Sequence, residues 1–136
     1  MSVRIENITM DCADERVLGP FWSAVPGWEI FVDQPGDWMM LRDPSGAEPT
    51  TLGLQVVPEP KVVKNRVHLD LIPTAGLLED EIRRLEGLGA TRVRYVENDP
   101  DASHWILADP EGNEFCCSRP PWEPRPDRLQ AKEQRQ

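Results

Sequence analysis

The sequence predicts an α+β fold made of two tandem βαβββ units. Three observations carry that reading. A segment repeats at an offset of 66 residues: Trp38-Met-Met-Leu-Arg-Asp-Pro-Ser-Gly46 against His104-Trp-Ile-Leu-Ala-Asp-Pro-Glu-Gly112. Each copy is a short apolar strand running into Asp-Pro-x-Gly, a turn signature. Stretches that alternate as half-buried strands do, at 6–11 and 67–72, each precede a helical stretch. Units of about 60 residues are too small to hold a core alone, so the two must pack together.

The elements follow in order. In the first unit, about 3–57, the strand Glu6-Asn-Ile-Thr-Met-Asp11 leads into a helix over about 15–25, which Pro26-Gly27 ends. Strands follow near 28–33, 37–42 and 52–57. Residues 58–65, Pro-Glu-Pro-Lys-Val-Val-Lys-Asn, join the halves and are too short for a free linker. In the second unit, about 66–118, Val67-His-Leu-Asp-Leu-Ile72 is the leading strand. Leu77, Leu78, Ile82, Leu85 and Leu88 then form the apolar stripe of a helix over about 76–88, with Gly89 as its C-cap. Strands near 91–96, 104–108 and 114–118 complete it. Residues 1–118 thus form one domain.

Charge and composition bound the function. The 136 residues carry 24 acidic and 15 basic side chains, a net charge of −9. Residues 1–118 alone carry −11, and the tail 119–136 carries +2. Nucleic-acid binding needs a basic face, so it is excluded as a partner class. No stretch approaches the roughly 18 apolar residues of a membrane span. Three cysteines without a C-x-x-C, and no visible signal peptide, predict a reducing, cytoplasmic setting rather than a disulfide scaffold. The tail holds four of the 14 prolines and reads as a poorly ordered extension, with Trp122 its one large aromatic.

Paired βαβββ units with Asp-Pro-x-Gly before the last strand resemble the vicinal oxygen chelate superfamily. That group includes glyoxalase I, extradiol dioxygenases, and the bleomycin- and fosfomycin-resistance proteins. Residues 58–70, Leu88-Gly-Ala90 and Asp109-Pro-Glu-Gly-Asn-Glu-Phe-Cys116 are closer to its glyoxalase-like branch. The resemblance implies a curved mixed sheet shaped as a cup, helices outside, a small organic ligand inside and a homodimer. It carries no reaction, because isomerases, oxygenases, lyases, transferases and pure binders share this scaffold.

Strand alternation sorts the residues of that cup. Asn7, Thr9 and Asp11 oppose Ile8 and Met10. Gln55 opposes Leu54 and Val56, and Arg66, His68 and Asp70 oppose Val67, Leu69 and Leu71. Glu114 and Cys116 oppose Phe115 and Cys117. The apolar faces are expected against the helices and the polar faces in the cup. Trp38 and Trp105, at offset positions of equivalent strands, are candidates to stack on a ligand. With the acidic groups, they favour a partly aromatic or positively charged molecule.

The metal positions that the resemblance implies fall on Asn7, Gln55, His68 and Cys116. His with Cys and two amides matches no common zinc, iron or manganese set, so no metal cofactor is expected. The candidates for chemistry are His68 as acid or base, Glu114, and Cys116 as a thiol beside His68. The leading expectation is a small-molecule-binding glyoxalase-like protein without a conventional metal site. The alternatives are a metal-dependent lyase, isomerase or dioxygenase, and a drug-sequestering binder of the bleomycin-resistance kind.

Overall fold

The computed structural model describes residues 1–97 and 103–124. The first unit holds β1 (Asn7–Cys12), α1 (Glu15–Ala24), β2 (Glu29–Gln34), β3 (Trp38–Arg42) and β4 (Thr51–Val56). The second holds β5 (Asp70–Leu71), α2 (Leu78–Leu88), β6 (Thr91–Val96), β7 (His104–Ala108) and β8 (Glu114–Ser118). Each unit makes a four-stranded sheet of the same order, β1-β4-β3-β2 and β5-β8-β7-β6. The leading strand pairs parallel with the last one, and the remaining pairs are antiparallel. This is the α+β arrangement of tandem βαβββ units.

The repeated Asp-Pro-x-Gly segments are the turns before β4 and β8. Gly46 and Gly112 adopt φ of 74° and 85°, a conformation in which any Cβ would be strained. In the first turn Asp43 accepts from the backbone N–H and hydroxyl of Ser45 and from the N–H of Glu48. These bonds, the Ser45 hydroxyl foremost, hold its carboxyl below the usual range. In the second turn Asp109 is buried and accepts from the N–H groups of Glu111 and Asn113. It also accepts from the Asn113 amide and from the indole N–H of Trp22, 3.0 Å away in the other unit.

The units share one core. Asp14 caps α1 by accepting from the Arg16 N–H, and Leu18, Phe21 and Trp22 form the buried face. Phe21 and Trp22 pack on Phe115 of β8, with ring centroids 6.1 and 5.1 Å apart. Glu111 of the second unit accepts from the N–H groups of Ala13 and Asp14 at the start of α1. Arg84 of α2 donates to the carbonyls of Ala24 and Val25, where α1 ends. Both ends of α1 are thus held by the second unit.

Two expectations are corrected. The leading strand of the second unit is two residues long, not six, and Val67 is 74 % exposed rather than packed. The reason is Asn65. Its side-chain amide donates to the Glu114 carbonyl and accepts from the Glu114 N–H, taking the bonds a longer parallel strand would make. The start of the tail is also docked rather than loose. Pro120 is buried, and Arg119 donates to the Tyr95 hydroxyl and pairs with Glu123 at 3.2 Å. The Trp122 indole donates to the Gly76 carbonyl, and Glu123 accepts from the Leu78 N–H. That last bond supplies the cap that Leu77 cannot give α2. The rest of the tail, 125–136, lies outside the described residues.

Candidate functional site

The concave face of the second sheet is set by register. Arg94 of β6 pairs with Ile106 of β7, Ile106 with Cys116 of β8, and Cys116 with Asp70 of β5. Directly paired residues point to one face, so these four side chains form a row across the sheet. Two residues along β8, Glu114 shares the face of Cys116, and His68, ahead of β5, stands beside Asp70 and lines one pocket with Glu114 and Cys116. The opposite face carries Phe115, Cys117 and Leu107, all buried in the core.

The row brings three metal-binding residue types together. His68 Nδ1 lies 3.4 Å from Asp70 Oδ1, and one donor atom from each of His68, Asp70 and Cys116 falls within 4.8 Å of the others. The expectation of no metal is therefore unsupported. It tested His68 and Cys116 with two distant amides and left out Asp70, which parallel pairing with β8 delivers. An imidazole, a carboxylate and a thiol suit zinc, which in open sites takes three protein ligands and keeps a fourth position. Nothing else in the described residues forms such a group.

Asn7 and Gln55 lie elsewhere. Asn7 donates to the Thr9 hydroxyl and accepts from that of Thr51, each at 2.7 Å. Gln55 donates to the Asp37 carbonyl at 3.0 Å. Both are satisfied within their own unit, Gln55 by the turn before β3. Trp38 shares the first sheet's concave face and lies over Gly53, where a Cβ would stand 2.6 Å from its ring. Trp105 lies on the core side of β7, its ring 5.4 Å from that of Tyr95 and capped by the Arg92 guanidinium. It is removed from the cup, because His104 and Ile106 hold the concave positions of that strand.

Two cavities adjoin the row. The larger, about 530 Å³, lies between β1, the joining segment and β8. Ile8, Met10, Val57, Val63 and Phe115 give it apolar walls, while Thr9, Asp11, Arg66 and His68 add polar groups. The smaller, about 240 Å³, lies on the concave face between His68, Cys116, His104 and Arg94. Lys64, His68 and Glu114 line both. The sequence reading missed Lys64, Arg94 and the cavity wall supplied by the joining segment. Arg94 was hidden by the bulge between Arg92 and Arg94, which breaks the alternation of β6.

The thiols are held protonated. Burial, then the Asp70 carboxylate, pushes Cys116 up to about 11, so the metal-free Cys116 is a poor nucleophile at neutral pH. Burial raises Cys12 to about 11 and Cys117 to about 12. A thiol whose pKa is raised by folding stabilises the fold below its unfolded value and loses that contribution as pH climbs through the folded one. Unfolding midpoints in urea are expected to hold up to about pH 9 and fall towards pH 11–12, less steeply in Cys117→Ala. An unchanged slope in that variant would remove Cys117 as a source.

Residues 7–118 match the model of the glyoxalase-like domain family. A search of curated proteins finds no match to the chain. Among solved structures, a glyoxalase/bleomycin resistance protein/dioxygenase family enzyme from Burkholderia phytofirmans superposes with a TM-score of 0.67 at 15 % identity, covering 85 % of this chain and 97 % of that one. The fosfomycin resistance protein of Listeria monocytogenes, complexed with Mn(II) and a dihydroxypropylphosphonic acid, gives 0.70 at 10 % identity, covering 87 % and 90 %. An antibiotic-binding protein from a Streptomyces species gives 0.63 at 20 % identity, covering 88 % and 97 %. At these identities the structures speak for the fold. With the family match spanning nearly all of both sheets, the chain belongs to the glyoxalase-like domain family of the vicinal oxygen chelate superfamily.

Proposed function

We propose that this chain binds a small organic molecule in the larger cavity, between β1, the joining segment and β8. The observation that carries the reading is the larger cavity, which shares Lys64, His68 and Glu114 with the pocket over Cys116. Its volume of about 530 Å³ falls in the range of ligand sites, and apolar walls with a few polar groups are their usual chemistry. Thr9, Asp11 and Arg66 offer hydrogen bonds at its edge. The antibiotic-binding neighbour is consistent with this use of the fold. The same reading takes the chain as a cytoplasmic homodimer, supported by its three unpaired cysteines and by exposed Val62, Val63 and Val67 beside the cavity.

A thermal-shift screen of small organic molecules should yield ligands, and Val57→Trp, which fills the cavity, should abolish their effect while the protein stays folded. Hits that persist in Val57→Trp would place binding elsewhere and overturn the reading.

The second reading, a metal-dependent enzyme, is favoured by the His68, Asp70 and Cys116 group. A zinc ion held there would polarise an oxygen of the bound molecule. The thiolate ligand favours zinc over manganese, which prefers oxygen donors. Calorimetric titration should show one zinc per chain, with Cys116→Ser weakening it by roughly tenfold or more. Equal affinity in that variant, or no zinc binding, would remove the metal reading and leave the binding function standing.

A further inference from the structure

The smaller pocket runs against the charge of the chain. The sequence carries −9, yet among the described residues this pocket is lined by Lys64 and Arg94 against Glu114, with His68 and His104 in its walls and Asp70 beside it, paired with His68 at 3.4 Å. Lys64 and Glu114 pair at 3.5 Å, which leaves Arg94 as the pocket's cation without a carboxylate partner among the described residues.

Arg94 differs from the arginines around it. Arg92 is held by Glu79 and Glu86, and Arg84 by Glu81. Both are thereby committed to the helix side of the molecule. Arg94, past the bulge, turns to the concave face and forms no ion pair with any described residue. Its guanidinium is a planar fork of donors suited to a carboxylate or phosphate.

The position has a scale. Arg94 and Cys116 are separated by β7 alone, so their backbones stand about 10 Å apart at about 4.8 Å per strand. Ile106 lies between them and gives an apolar floor. A molecule gripped by Arg94 at one end therefore presents its other end to His68, Cys116 and the larger cavity.

We infer that the ligand is a small organic acid, whose carboxylate or phosphate is bound by Arg94 while its carbon body lies over Ile106 towards His68. This rests on the binding function proposed above and names the ligand class for that site. It reverses the preference for a positively charged ligand that strand alternation suggested. The acidic exterior repels such an acid everywhere else, so the pocket supplies selectivity as well as affinity.

The test is a chemical-shift titration of the full chain with four probes: phenylacetate, phenyl phosphate, phenylacetamide and phenethylamine. At least one of the two acids should shift the amides of β6, β7 and β8, and the tighter of them identifies carboxylate or phosphate as the preferred group. Arg94→Gln should weaken that acid by roughly tenfold or more, with Arg94→Lys intermediate. Arg94 is exposed, so both variants keep the fold, and their spectra show it directly. Neutral or cationic probes binding these strands as tightly as the acids would overturn the inference. So would an unchanged acid affinity in Arg94→Gln, or no acid binding at all. Neutral probes that bind the larger cavity while the acids fail would overturn this inference alone and leave the binding function intact.

Discussion

Replacing Asp109 by alanine is expected to cost about 3–5 kcal/mol of stability, the largest effect of any polar substitution in the molecule. Asp109 is 3 % exposed and accepts four hydrogen bonds, all of 2.9 or 3.0 Å. Alanine leaves the Trp22 indole, two backbone N–H groups and the Asn113 amide without an acceptor. For a domain of this size the loss corresponds to a fall in Tm of roughly 10 °C or more. The damage should also spread across the units. Asp109 holds the turn that aims Glu111 at the first N–H groups of α1. Hydrogen exchange at Ala13 and Asp14 is therefore expected to rise together with that at Glu111 and Asn113. Asp109→Asn keeps one oxygen and turns the other position into a donor, so it should fall between wild type and alanine. A loss below about 1 kcal/mol in Asp109→Ala would show that water replaces the carboxylate and that the turn holds itself.

Phe115→Ala is expected to cost about 3–5 kcal/mol and to remove ligand binding with it. Phe115 is 1 % exposed and touches Phe21 and Trp22 of the other unit, so truncation opens a cavity where the two units meet. It also walls the larger cavity and lies between Glu114 and Cys116, which line the smaller pocket. Backbone relaxation at 115 shifts both. In the wild type, unfolding followed by tryptophan fluorescence and by far-UV circular dichroism should coincide, because the core is common to both units. Separate transitions in the wild type would contradict a shared core. A double-mutant cycle of Phe115→Ala with Trp22→Ala should show non-additivity on the order of 0.5–1.5 kcal/mol.

The candidate site was legible in the sequence only in part, and the pattern of success is physical. Alternation places His68, Asp70, Glu114 and Cys116 on one face, and the structure sets His68, Glu114 and Cys116 around one pocket with Asp70 beside His68. Alternation is a local property of an extended backbone, so it survives without knowledge of the partner strand. Asn7 and Gln55 were also assigned to a concave face, but their donors are spent on Thr9, Thr51 and Asp37. Trp38 and Trp105 occupy offset positions of equivalent strands yet lie on opposite faces. The repeat aligns Trp38 with His104 and Met39 with Trp105, so the two indoles stand one residue apart along equivalent strands and alternation sends them to opposite faces.

Fold class, element order and both turns follow from the sequence by itself, because strand period, helical stripe and Asp-Pro-x-Gly each act over a few neighbouring residues. The tertiary structure alone decided three things. It shortened β5, since Asn65 takes the bonds of Glu114 from outside any strand. It joined Asp70 to Cys116 across 46 residues of chain by parallel pairing, creating a donor group no spacing rule announces. It turned Arg94 into the concave face of an acidic molecule. Each of these depends on contacts between segments far apart in the chain, and such contacts leave no periodic mark on either segment.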